Sequence, residues 1–321
     1  MALEQDPGLR SGTTRVCRNC GSTGLIELGF IGKMEPFFLK RVFNIELRPQ
    51  QSRTALKQLA RTLARPLRGP LSKLYSDRAF LEMQSCNRCS FVQVKHPFPE
   101  DWITRLYLDY RSATYNAERT HYEPGYAAIA ARVGTDPREV TLRVEEATRF
   151  LAGKLETSPN FTMLDYGGAD GRFLPPLAEQ RFVYEISDIA PVPGVTRIAS
   201  EAALQRYSYV HLAHVLEHVI YPLQLVSKVL AHVEDNGYLY IEVPQEIDGP
   251  SLRLLQQGKP PFDVAIHEHI NYFSIPALTQ LMAAAGLDLI AIEATPVDLG
   301  WAKSTILRAL GRKPSSSAGL S

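Results

Sequence analysis

From residue 161 onward, short apolar runs alternate with amphipathic stretches, and few folds accommodate that order. "FTMLDY" reads as a strand, "RFLPPLAEQ" as a helix, "RFVYEISD" and "YSYVHLA" as strands, "PLQLVSKVLAHV" as a helix, and "GYLYIEVP" as a strand ending at Pro244. "IPALTQLMAAAG" follows as a helix closed by Gly286, and "LDLIAIEA" as a further strand. Strands separated by helices predict an α/β fold, a mostly parallel sheet with helices on both faces. Upstream, "YAAIAARV" and "VTLRVEEATRFLAGKL" give residues 116 to 155 a helical pattern.

In open parallel sheets, ligands bind at the carboxyl ends of strands. At such an end, "DYGGADG" sets Asp165 before Gly167, Gly168, Ala169, Asp170 and Gly171. Glycines there let a ligand lie against bare backbone and the start of the next helix. The spacing is not the G-x-G-x-x-G of a dinucleotide site, and the GK[ST] of a P-loop is missing. Pro175 fits a first helical turn, whereas Pro176 removes a helix hydrogen bond, so this helix is expected to start late or bend.

The turn resembles motif I of the class I S-adenosylmethionine-dependent methyltransferases, an acid followed by G-x-G-x-G, with Ala169 at the middle glycine. The likeness spans roughly residues 120 to 295 and implies a Rossmann-like sheet. It implies cofactor contacts from Asp165, Gly167, Gly168 and Gly171. It also implies one from Asp188, which lies 17 residues beyond Gly171 where the family places the acid that holds the ribose hydroxyls. "LAHVLEHVIYPLQLV" resembles the family's segment after its fourth strand and puts His214 beside the cofactor, and "GYLYIEVP" resembles its fifth strand.

The four cysteines form two CxxC pairs, Cys17–Cys20 and Cys86–Cys89, separated by 65 residues. The opening "MALEQDPGLRSGTTRV" holds no apolar signal segment, and no run of 18 apolar residues occurs, so a reducing, cytoplasmic setting is expected. Disulfides explain such pairs poorly there, whereas four thiolates from two turns match a structural tetrahedral zinc site. A redox pair is the weaker reading. Net charge is +1, which argues neither for nor against a polyanionic partner. The segment from 37 to 78 nevertheless carries ten Lys or Arg against two acids, with Leu56, Leu59, Ala60 and Leu63 at helical spacing. Residues 40 to 73 thus suggest either a solvated helix packed on its own domain or contact with an anionic partner or membrane surface.

"FDVAIHEHINYFS" supplies His267, Glu268, His269 and Tyr272. A metal site there is disfavoured, because alternate side chains on a strand point apart, and plain hydrogen-bonding duty for the loop histidines is the bland reading. A histidine general base is the sharper one, since imidazole titrates near pH ~6.5 and a carboxylate can orient it. Together the zinc-type amino terminus, the class I core and "HEHINYFS" resemble the sugar C-methyltransferases of nucleotide-linked keto-deoxysugars. That resemblance implies His269 as the base that removes a proton next to the sugar ketone, with Glu268 and His267 supporting it. Ile266 stands where those enzymes tend to have tyrosine, which leaves O-methylation of a sugar or another small metabolite open.

A zinc-containing RNA methyltransferase is the main alternative. Against it, no N/D-P-P-Y follows the fourth strand and every cysteine is committed to metal, so nucleic acid is not the expected acceptor. A decayed, non-enzymatic binding fold is opposed by the intact set Asp165, Gly167, Gly171 and Asp188. The expected division is 1–115 for a zinc-binding domain with a basic helical insert, 116–297 for the methyltransferase domain, and 298–321 for a partly disordered tail.

Overall fold

The computed structural model describes residues 16–46, 80–98, 101–110, 112–185, 189–260 and 262–315. A seven-stranded sheet carries the alternating half of the chain. Its parallel part comprises β4 (Thr162–Tyr166), β5 (Gln180–Tyr184), β6 (Thr196–Ile198), β7 (Tyr207–Ala213) and β8 (Val233–Pro244). The antiparallel pair β11 (Asp288–Asp298) and β12 (Lys303–Arg312) completes it, in the order β11-β12-β8-β7-β4-β5-β6.

Helix α4 (Pro137–Leu151) begins where Asp136 accepts from Arg138 N at 2.8 Å and Pro137 takes the first helical position. It buries Ala147, Phe150 and Leu151 against Met163, Tyr209, Tyr240 and Leu310 on one face of the sheet. Helices α5 (Pro222–Val229) and α7 (Ile275–Ala284) cover the other face, packing Val226, Val229, Leu278 and Leu281 on Leu212, Leu239, Ile241 and Leu307. The expected helix in "RFLPPLAEQ" does not form, and residues 171–179 run as turns. Pro175 and Pro176 remove two consecutive N–H donors, and the local bonds are short-range, such as Leu177 N to Pro175 O at 2.9 Å. "YAAIAARV" likewise gives only a 3₁₀ turn over Pro124–Ala128.

A second sheet gathers the rest, in the order β10-β3-β2-β1-β9. Strands β1 (Leu25–Met34), β2 (Phe80–Cys86) and β3 (Val92–Val94) come from the amino-terminal region, while β9 (Val264–Ile266) and β10 (Asn271–Tyr272) come from far along the chain. β9 pairs with β1 in parallel, and β10 with β3 antiparallel. Helices α1 (Pro36–Phe43), α2 (Trp102–Leu106) and α3 (Ala113–Tyr122) build its core from Phe37, Phe38, Trp102, Leu106 and Tyr115. Leu252 and Leu255 of α6 (Gly249–Gln256) join that core.

The fold cuts across the expected division. Residues 249–272 pack with the amino-terminal sheet, and the segment from 298 is not simply a tail, because β12 lies inside the large sheet between β8 and β11. Most of the basic stretch at 40–73 lies outside the described residues. Within them, Lys40 pairs with Glu46 at 3.0 Å and Arg41 with Glu118 at 2.6 Å. Among the described residues no helix is long and apolar enough to cross a membrane.

Strand β12 buries Ile306, Leu307 and Leu310. Each aliphatic side chain of this size contributes about 1.5–3 kcal/mol, against a net domain stability of roughly 5–15 kcal/mol. A chain ended at Asp298 should therefore lose its cooperative thermal transition in circular dichroism; a sharp transition within a few degrees of the full chain would show that β12 is dispensable.

Candidate active site

Asp165 is the penultimate residue of β4 and is buried, and no hydrogen-bond donor among the described residues reaches either carboxyl oxygen. Burial, aided by nearby Glu185 and Asp170 and opposed by Arg143, pushes it up to about 8. Its carboxyl lies over Gly168, where an added Cβ would stand 1.9 Å from Asp165 Cγ. Gly167 adopts φ +78°, and the space beside it is filled by Val215 Cγ2. The turn closes through Gly171 N to Gly168 O at 2.9 Å. Ala169 adopts φ +53°, so its extra methyl sits in the left-handed region, where a side chain costs about 1–2 kcal/mol.

Asp188 lies outside the described residues. The described acid at the end of β5 is Glu185, whose Oε2 is 3.3 Å from Ala169 N. Sequence reading passed over it, although it directly follows the apolar run of its strand as a ribose-binding acid would. With no helix after Gly171, the turn offers bare backbone and Glu185 rather than a helix dipole.

Next along the carboxyl edge, β7 ends at Ala213 and His214 turns the chain at φ +55°. Its N–H donates to Glu242 O at 2.8 Å; its Nδ1 is 3.1 Å from Glu217 Oε1, and its Nε2 is 3.4 Å from Glu242 Oε1. Burial and Arg143 oppose a charged ring here, but Glu217 and Glu242 outweigh them and raise His214 above the ordinary imidazole value. Glu242 is itself buried. It accepts from Arg143 Nη2 at 2.8 Å, Tyr240 Oη at 2.8 Å and Arg308 Nε at 3.1 Å.

The His267–His269 segment is slung between β9 and β10, against this edge. His218 Nδ1 meets Glu268 O at 3.1 Å, and Ile270 N donates to Glu217 O at 2.9 Å. His269 Nδ1 is 2.8 Å from Glu246 Oε2, and its ring lies 4.8 Å from that of His218 and 4.9 Å from that of His267. Burial disfavours its charge, but Glu246, Glu217 and Glu268 together push His269 up to about 9. Burial and the neighbouring His269 keep His267 below its ordinary value, and burial does the same to His218.

Glu268 does not support His269 by contact. Its carboxylate turns the other way, to Arg119 Nη1 and to Tyr107 Oη at 2.7 Å. Burial opposes its ionisation, yet Arg119 and the histidines hold it at about 2. The carboxylate that orients His269 is Glu246, which sequence reading missed along with Tyr107 and His218. Ile266 is fully buried in the core of the smaller sheet.

The four cysteines converge. Cys17 and Cys89 Sγ are 3.7 Å apart, Cys20 and Cys86 Sγ are 3.7 Å apart, and all four sulfurs lie within 4.8 Å of one another. In a tetrahedral zinc site with Zn–S of ~2.3 Å, the sulfur–sulfur edge is ~3.8 Å, so the set fits such an ion. Asn19 Nδ2 donates to Ala277 O at 2.8 Å, which docks the cluster on α7.

Residues 138–292, just under half of the chain, match the methyltransferase domain family. No curated protein matches in sequence. Among solved structures, similarity extends to the 1,6-didemethyltoxoflavin-N1-methyltransferase of Burkholderia thailandensis, solved with 1,6-didemethyltoxoflavin and S-adenosylhomocysteine. The identity is 16%, covering 70% of this chain and 95% of that one, at a TM-score of 0.44. The N-methyltransferase NodS of Bradyrhizobium japonicum is 15% identical over 56% of this chain and 99% of its own, at 0.37. A possible histamine N-methyltransferase of Thermotoga maritima is 16% identical over 58% and 98%, at 0.41.

Replacing Gly168 by alanine drives a Cβ into Asp165, a buried side chain with little freedom to retreat. Overpacking of this kind costs about 1–3 kcal/mol. If the turn holds the donor, Gly168→Ala should weaken S-adenosylhomocysteine binding at least about tenfold in titration calorimetry; wild-type affinity would count against the turn as the donor site.

Proposed function

We propose that this chain, an S-adenosylmethionine-dependent methyltransferase by the domain that residues 138–292 match, methylates a carbon or oxygen of a sugar or sugar nucleotide with His269 as general base. One observation carries the reading. The glycine turn and the histidine segment meet at one carboxyl edge, joined by Val215 against Gly167, by His218 on Glu268 and by Ile270 on Glu217.

In this reading the backbone of Gly167, Gly168 and Gly171 cradles the donor beside Asp165 and His214. Glu185, or Asp188 just beyond it, accepts the ribose hydroxyls. Glu246 fixes the His269 ring through Nδ1, leaving Nε2 to take the acceptor proton. Methyl transfer then requires alignment and exclusion of water, which the surrounding walls supply. Glu268, tied to Arg119 and Tyr107, holds the segment in place, and His267 contributes a neutral ring beside the base. Cys17, Cys20, Cys86 and Cys89 would hold a structural zinc, which supplies a fold constraint and no chemistry. The setting we propose is cytoplasmic.

Transfer of a labelled methyl group to pooled sugar nucleotides, set against total RNA and other small metabolites, tests the acceptor; label only in RNA would overturn it. His269→Ala should reduce kcat by about 10²–10⁴ while S-adenosylhomocysteine affinity holds. A base must start neutral, and His269 sits at about 9, so wild-type rate should climb as pH rises from 7 toward 9. A flat profile would remove His269 from that role.

Zinc removal should be felt at the histidines, because β9 and β10 pair with β1 and β3, the strands that the cysteine turns anchor. Stripping the metal with a chelator should speed amide exchange in residues 264–272; unchanged exchange there, or no metal in the purified protein, would defeat the assignment.

A further inference from the structure

We infer that Glu217 is a positioning residue that joins the donor side of the site to the acceptor side and sets the charge carried by the histidines between them. The inference rests on the histidine-base reading above.

Glu217 belongs to a 3₁₀ turn, Leu216–His218, immediately after β7. It is completely buried, and neither carboxylate oxygen accepts a well-directed hydrogen bond among the described residues. Instead imidazoles surround it. His214 Nδ1 is 3.1 Å from Oε1 and His218 Nε2 is 3.9 Å away on the same turn. His269 reaches it from the neighbouring segment: one carboxylate oxygen of Glu217 and one ring nitrogen each of His218 and His269 lie within 4.8 Å of one another. A carboxylate sealed from water needs compensating positive charge. Here that charge comes from rings on both sides of the proposed transfer.

The backbone repeats the connection. Glu217 O accepts from Ile270 N at 2.9 Å, and Leu216 O accepts from Asn271 Nδ2 at 2.9 Å. One residue thus meets the His267–His269 segment through its main chain and its side chain. The other charged groups facing this cluster are accounted for. Glu246 lies against His269, and Glu268 is turned to Arg119. Behind His214 stand Glu242 and Arg143. Among the described residues, Glu217 is the carboxylate that both touches the donor-side His214 and lies among the acceptor-side rings. Burial opposes its ionisation, but His214, His218 and His269 hold it at about 2, so it is an anion at every working pH.

The sign of its influence follows. An anion among imidazoles favours their protonated forms. Neutralising it should let His269, His218 and His214 lose their protons at lower pH. In ¹⁵N-histidine-labelled protein, Glu217→Gln should therefore lower the His269 titration midpoint by about one pH unit, with the rising limb of the pH–rate profile moving down by a similar amount. Glu217→Asp keeps the charge but draws it back by one methylene. It should leave the limb near its wild-type position while lowering kcat severalfold, because the bridge to the acceptor side loosens.

Titration calorimetry with S-adenosylhomocysteine checks that both variants retain the donor site. An unmoved His269 midpoint in the Gln variant, or an Asp variant with wild-type kcat, would overturn the inference. The titration needs no acceptor, so shifted midpoints with no transfer to any sugar nucleotide would sink the function reading and leave this one standing.

Discussion

Asn271 is almost fully buried, and its side-chain amide donates to two main-chain carbonyls, those of Leu216 and Val219. Those carbonyls belong to the segment leaving the large sheet, while Asn271 itself begins β10 of the small one. The meeting of the histidine segment with the carboxyl edge of the large sheet runs through this junction, since it brings residues about 50 apart in sequence together. A bond to a buried carbonyl is modest in net energy, but leaving the partners unsatisfied costs about 1–3 kcal/mol each. The junction is therefore specific as well as adhesive. The two sheets divide the labour: one presents the glycine turn, and the other suspends the histidines opposite it.

The charges at the edge obey the same economy. Glu242 and Glu217 are buried and Glu268 is half-buried, and each faces cationic or titratable partners: Arg143 and Arg308, the imidazoles, and Arg119. Asp165, by contrast, accepts no hydrogen bond among the described residues, and burial outweighs the pull of Arg143 and pushes its carboxyl toward the neutral form. The carboxyl beside Gly168 thus leans toward its neutral form, while the histidine segment is dense with compensated charge. In the function proposed above, proton chemistry falls to that segment and shape to the turn.

Much of this was legible in the sequence, for identifiable reasons. The strands at Thr162–Tyr166, Tyr207–Ala213 and Val233–Pro244 show as apolar runs because both faces of a central parallel strand are covered. The two CxxC pairs announced their own convergence, which the sulfur distances bear out. Strand β12 escaped because Arg308 interrupts its apolar run; that guanidinium is fully buried against Glu242, a pairing no local pattern reveals. The helix expected to start late or bend after the glycine turn does not form, because Pro175 and Pro176 remove two consecutive N–H donors. Glu246 and Tyr107 could not be tied to the H-E-H segment at all, since they lie 23 and 162 residues from His269, Glu246 just past β8 of the large sheet and Tyr107 just past α2.

That last failure has a physical content. Sequence periodicity reports which face of an element is apolar, and it is silent on which polar groups a non-local pairing will bring together. Here β9 follows β1 in parallel, Gly32 beside Val264 and Met34 beside Ile266, so the direction in which the chain enters the histidine segment is set by residues more than two hundred positions earlier. Shifting that register by one residue would exchange the faces of β9, turning Ile266 out of its core and the following histidine with it. The buried apolar packing of Ile266 thus works with the Glu246 contact to His269 and the Arg119 contact to Glu268 in setting how this segment faces its neighbours.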